Sequence, residues 1–210
     1  VALLFVSLAW VEPLSGGRNL PLPPSGLSMA ELWGIYAFHL FLVCSLICAA
    51  FTELDGNRLT WRLVLPAMVI GLFAPWIWPH LHPTTPPLAP LDSLVDGLLG
   101  AAAGGLTGFV ISWPARMVTN GASAPTKRTR KPRRRQLAQG NAATALAWTG
   151  AFLGWPAAIA LAAASGGTFW LLRIISRLMP TTGRVGLLSH VAFWTLIWIA
   201  LWRQLQTMLP

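Results

Sequence analysis

The sequence predicts an all-α polytopic membrane protein with about six transmembrane helices. Composition is the first observation behind this. Of 210 residues, 55% are apolar and 10% charged, and mean hydropathy is +0.60, which no soluble domain of this size needs. The second observation is a succession of apolar runs of about 20 residues, the length that crosses a bilayer. The third is the placement of charge. Of 15 Lys and Arg residues, 8 fall between Arg116 and Arg135, as in a cytoplasmic loop obeying the positive-inside rule. The formal net charge of +9 is therefore assigned to topology and anionic lipid, and no nucleic acid is expected. That loop also lacks the interleaved aromatics that single-stranded nucleic acids stack on.

Residues 1–28 form an N-terminal segment and 29–210 the transmembrane domain. The opening run VALLFVSLAW is too short to span and is expected to be a helix tail or a signal-like remnant. Residues 11–28, rich in Pro, Gly and Ser with Arg18 their one positive charge, read as an extramembrane connection. The first full span, 31–51, opens on Ser28 as N-cap and carries Trp33 and Tyr36 at its start. His39 within it is expected to hydrogen-bond to a neighbouring helix. Cys44 and Cys48 read as small packing residues, not ligands.

The second span, 60–78, has Trp61 at one end and Trp76 and Trp78 at the other, the interfacial pattern of indoles, and Pro75 loosens its last turn. The stretch 79–91, PHLHPTTPPLAPL, has no Lys or Arg and reads as a stiff outer loop, with His80 and His82 solvated in it. Asp92 is expected to cap the third span, 92–113, in which Gly100, Gly104, Gly105 and Gly108 make a small-residue face. The basic loop 114–136 follows, broken by Pro114, Gly121 and Pro125. Spans at 137–155, 156–178 and 185–202 complete the chain, with Gly166 and Gly167 midway along the fifth and Ser189 and His190 at the start of the sixth. With 114–136 cytoplasmic, alternation puts 53–62 and the cluster Arg173, Arg177 and Arg184 on the same side.

The stretch AAFTELDGNRLTWRLVLPAMVIGL (49–72) places Glu53, Asp55, Asn57 and Arg58 between two apolar runs. Acids at the edge of a membrane core are either solvated at the interface or kept for function. The string resembles the first motif of the prepilin peptidases, pilin-processing aspartyl proteases of the bacterial inner membrane. In that family the motif resembles A-x-x-D, a proline seven residues on, a second proline six further, and G-L. The match is ungapped from Ala50 through Pro66 to Gly71 and Leu72. The family's catalytic aspartate falls on Glu53, its first proline on Thr60, and an acid often present nearby on Asp55. Asp96, Gly100 and Gly104 also resemble the D-x-x-x-G-x-x-x-G of a family helix.

The resemblance implies a second aspartate in a G-x-G-D motif, for which the chain has QLAQGNAATALAWTGAFLGW. Gly150, Ala151, Gly154 and Trp155 match, with Ala147 in register. Counted without a gap, the catalytic aspartate falls on Ala142 and the motif lysine on Thr144; with a one-residue insertion the G-D pair falls on Gly140 and Asn141. Neither alignment supplies a carboxyl. Aspartyl proteolysis needs two carboxyls that share a proton, one activating water and one protonating the carbonyl oxygen. Glu53 keeps an acid but is longer by one methylene, about 1 Å of displacement. The resemblance thus implies a catalytically degenerate protein that binds pilin-like subunits in a pilus, secretion or conjugation assembly. An active divergent leader peptidase using Glu53 or Asp55 is the alternative. The CxxC zinc pairs of many family members do not occur, and no metal or cofactor is expected. A transporter is disfavoured because no inverted repeat is evident and no charge interrupts the middle of a span.

Overall fold

A computed structural model of the chain describes residues 2–15, 27–78, 81, 90–112, 131–178 and 186–208. Among these, regular structure is helical and no strand occurs. Helix α1 (Ala2–Ala9) continues into one turn of π-helix, Trp10–Leu14; α2 is Met29–Leu54, α3 Trp61–Ile77 and α4 Pro90–Ser112. The long element Lys131–Leu178 is broken at Gly154 into α5 (131–153) and α6 (155–178), and α7 is Leu187–Met208. Met29–Leu54, Leu91–Ser112 and Gly140–Leu172 are long and apolar enough to cross a membrane, while Trp61–Ile77 and Leu187–Trp202 are shorter apolar helices. His80 and His82, Arg18, Arg184 and residues 114–130, expected in the basic loop, lie outside the described residues.

Local chemistry explains the helix ends. Ser28 closes a capping box: its Oγ accepts the Glu31 N–H at 3.2 Å while its own N–H donates to Glu31 Oε2 at 2.6 Å. At the other end of α2, Gly56 takes φ 73°, which lets the chain turn off the helix toward α3. Helix α4 begins at Pro90, two residues before the expected boundary, because proline suits the first turn, where its missing N–H has no partner to lose. Asp92 is accordingly a first-turn residue instead of the cap. Pro75 lies within α3, and Trp78 N–H still reaches the Ala74 carbonyl at 2.9 Å, so the last turn closes. Residues 131–136, expected in the basic loop, are helical, their Lys and Arg being good helix formers once past Pro125.

Gly154 has φ 79° and ψ 174°, outside any helical region. A Cβ on Gly150 would come 3.0 Å from that of Ala158, whereas residues eight apart on one helix are separated by about 12 Å. The chain therefore folds back at Gly154, and α5 and α6 form a hairpin joined by one non-helical residue, with Pro156 in the first turn of α6. This matches the boundary expected at Trp155 and Pro156. Helix α4 packs into the hairpin through its glycines: a Cβ on Gly100 or Gly104 would overlap the Gly150 or Leu146 carbonyl, and one on Gly108 would lie 2.7 Å from the Ala143 Cα. The falling register, 100 with 150, 104 with 146 and 108 with 143, makes α4 and α5 antiparallel.

The core lies where α2, α5, α6 and α7 meet, around Leu42, Leu46, Trp148, Phe152, Leu161 and Leu188. Phe38 and Phe41 of α2 pack on Phe152 with ring centroids 4.5 and 6.2 Å apart. Phe152 also meets α3, where a Cβ on Gly71 would lie 2.6 Å from its ring. These contacts fix two ends of the bundle. The hairpin end holds Phe152 and Gly154; the opposite end holds Asn141 of α5, the end of α2 and the start of α7.

The N-terminal segment departs from expectation. Residues 11–14, expected in an irregular connection, are helical, and Glu12 is fully buried. A carboxyl out of water needs a partner, and it has one in His39, whose Nδ1 lies 2.5 Å from Glu12 Oε1. The expectation that His39 bonds to a neighbouring helical segment holds.

Candidate functional site

The residues singled out in the two motifs gather at the end of the bundle opposite the hairpin. Helix α7 starts after Arg184, Val185 and Gly186, with no Ser, Thr, Asp or Asn to cap it. Its first N–H groups are met by an acid from another helix. Glu53, in the last turn of α2, accepts the Leu188 N–H through Oε2 at 2.9 Å, and the Leu187 N–H as well. The carboxyl oxygens of Glu53 thus lie at the positive end of the α7 dipole. Gly186 makes room for it, since a Cβ there would lie 2.9 Å from the Glu53 carboxyl carbon.

Asn141 is buried, 4% exposed, midway along α5. Its Oδ1 accepts the Leu59 N–H at 3.0 Å and its Nδ2 donates to the Asn57 carbonyl at 2.9 Å. One amide thus satisfies a donor and an acceptor of the loop that follows Glu53, and the two motifs meet through it. The resemblance put the second acid at 141 or 142, and both positions do structural work of another kind. Ala142 is fully buried, and its carbonyl would lie 3.0 Å from a Cβ on Gly108 of α4. A larger side chain there would press on the close α4–α5 contact.

The remaining candidates are less engaged. Asp55 is exposed at the C-cap of α2, its N–H closing the helix on the Phe51 carbonyl at 3.0 Å. Gly140 is exposed with open space around it. Thr144 turns its hydroxyl back to the Gly140 carbonyl at 2.8 Å, a bond local to the helix. The chain has six acids, Glu12, Glu31, Glu53, Asp55, Asp92 and Asp96, and all lie in the described residues. Glu12 faces His39, Glu31 closes the capping box, and Asp96 lies against Gly154 at the hairpin end, where α6 begins. From Asp96 to Gly108 is about 18 Å of helix, so Asp96 and Glu53 occupy opposite ends. Among the described residues, the hydrogen bonds of the Glu53 carboxylate go to the backbone of α7, and no group of three or more His, Cys, Asp or Glu side chains gathers to hold a metal.

Sequence reasoning found Glu53 and Asn141 but not their partners. The uncapped start of α7 was the available signal for the first. For the second, no sequence signal pairs an asparagine with loop backbone 82 and 84 residues away.

Substitutions at the two positions test this geometry. Asn141→Asp is expected to destabilise the protein by about 2–3 kcal/mol, because a carboxylate cannot donate to the Asn57 carbonyl and is repelled by it. Thermal unfolding in detergent reads the loss, and an unchanged midpoint would contradict the two-way amide clamp. Glu53→Ala is expected to cost about 2 kcal/mol, Glu53→Gln about half that because it retains one acceptor. Hydrogen exchange should quicken at Leu187 and Leu188 before it does elsewhere in α7.

Comparison of the chain with family models, with curated proteins and with solved structures yields no match.

Proposed function

We propose that the chain is a multi-pass protein of the bacterial inner membrane with the six-span prepilin peptidase architecture, and that it binds pilin-like subunits without cleaving them. The observation that carries this reading is Asn141. It occupies a position that the resemblance assigns to a catalytic acid, and its amide is used in both directions to hold the loop beyond Glu53. A carboxyl serves that loop worse than an amide does, so the position is adapted to holding structure. Glu53 supports the reading from the other side, since its carboxylate is turned to the first N–H groups of α7. Affinity for a pilin-like helix then comes from helix packing within the membrane. The basic loop rests on anionic headgroups, each positive charge contributing about 1 kcal/mol.

The test is reconstitution of the full chain in vesicles with a pilin precursor bearing a photo-crosslinker in its apolar N-terminal helix. Crosslinking in vesicles, competed by unlabelled precursor and retained in Glu53→Gln, is expected. Loss of crosslinking would overturn the binding reading, and precursor processing that Glu53→Gln abolishes would replace it with the divergent peptidase.

A further inference from the structure

Thr52, Thr107, Ser112, Thr144, Thr149 and Thr168 each donate to the carbonyl four residues before them, the usual recourse of a helical hydroxyl that has left water. Ser165 of α6 and Thr195 of α7 do otherwise. Both are fully buried, and neither hydroxyl has a hydrogen-bond partner among the described residues. The indole Nε1 groups of Trp148 in α5 and Trp198 in α7 stand in the same condition, on side chains 0% and 7% exposed. A buried polar group without a partner carries the full cost of losing water, and four such groups in one bundle point to a common cause.

The four lie at one level. Measured from Leu188, which is bonded to Glu53, Thr195 is about 10 Å and Trp198 about 15 Å along the axis toward the hairpin end. Thr168 of α6 pairs with Trp194, and Ser165 lies nearer the hairpin by most of a turn, at about 13 Å. Phe152 packs on Phe38 and Phe41 of α2, which puts Trp148, one turn back along α5, at about 14 Å. Trp148 and Trp198 belong to one continuous apolar core. No Asp, Glu, Lys, Arg or His occurs in residues 140–172 or 191–202, so α5, α6 and α7 have no charge to offer at this level, and a charged ligand there would stand uncompensated. The ligand is therefore neutral. It must accept from indoles, which only donate, and bond with hydroxyls, which do both. It must also be small enough for a packed interior. Water, which makes two to four bonds to otherwise unsatisfied buried groups, meets each condition. We propose that Trp148, Ser165, Thr195 and Trp198 form a water-binding site inside the bundle, and that water held there bridges α5, α6 and α7. The site rests on the fold alone and stands whether or not a pilin-like helix binds.

The experiment is X-ray radiolysis of the full chain in detergent micelles, in water enriched in oxygen-18. Water held in the site is split in place to hydroxyl radical, which adds its oxygen to the indole it touches, and mass spectrometry locates the label. Trp148 and Trp198 are expected to be labelled in the folded protein although they are buried, and Phe152, fully buried in the same core, to stay unlabelled. In the double variant Ser165→Ala, Thr195→Val the labelling of both indoles is expected to fall. Thermal unfolding of Thr195→Val alone supplies a second readout, because valine keeps the shape of threonine and removes only the hydroxyl. A hydroxyl bridged by water makes the variant less stable, with the unfolding equilibrium constant raised about fivefold. A hydroxyl buried dry makes it more stable, since the unpaired group is gone. Absence of label at Trp148 and Trp198 in the wild-type chain would overturn the site, as would a Thr195→Val variant at least as stable as wild type.

Discussion

Replacing Gly100 with leucine is expected to abolish the folded bundle. The backbones of α4 and α5 touch at this point: a Cβ on Gly100 would overlap the Gly150 carbonyl, and one on Gly150 would overlap the Gly100 carbonyl. No rotamer relieves a clash that begins at Cβ, so the helices must separate along the whole Gly100, Gly104 and Gly108 face. That loses the close packing on which helix association in lipid depends, and the cost exceeds about 4 kcal/mol. The measurement is recovery of monodisperse protein from detergent by size exclusion. Gly34→Leu is the control, since that glycine has nothing within 4 Å, and it is expected to behave as wild type. A Gly100→Leu variant recovered like Gly34→Leu would contradict the packing.

His39→Ala is the second large effect, at about 3–5 kcal/mol, because it removes the imidazole bonded to the buried Glu12 carboxyl and opens a cavity beside it. Glu12→Gln is expected to cost under about 1.5 kcal/mol, since an amide hydrogen-bonds to the imidazole without a charge to neutralise. Unfolding by denaturing detergent, followed by tryptophan fluorescence, compares the two. Equal losses would mean that burial and shape, not the polar bond, account for the contribution of the pair.

The helical class and most helix positions were legible in the sequence, because apolar runs, terminal tryptophans and Ser28 with Glu31 each act over a few residues. The reversal at Gly154 was legible for the same reason: Gly154, Trp155 and Pro156 stop one helix and start another locally. What escaped were bonds between distant segments. Glu12 stands beside Pro13 and ahead of a Gly- and Pro-rich stretch, so its neighbours suggest a loop, and only the buried partner 27 residues on makes it a core residue. Glu53 posed the same difficulty. Its position suggested chemistry, while its partner is the backbone of α7, 135 residues away, and backbone N–H groups leave no residue-type signature. The one trace was negative, a helix start without a capping side chain. Asn141 was legible as a place where an acid was missing, but not as an amide serving both a donor and an acceptor.

The most direct measurement is the mass of a pilin precursor after exhaustive incubation with the wild-type chain and with Asn141→Asp in anionic vesicles. With Asn141 and Glu53 committed to the backbone around them, the precursor is expected to keep its full length with both. A product shortened by the leader, appearing with wild type and disappearing with Glu53→Gln, would contradict the claim that these positions hold structure and do not cut peptide.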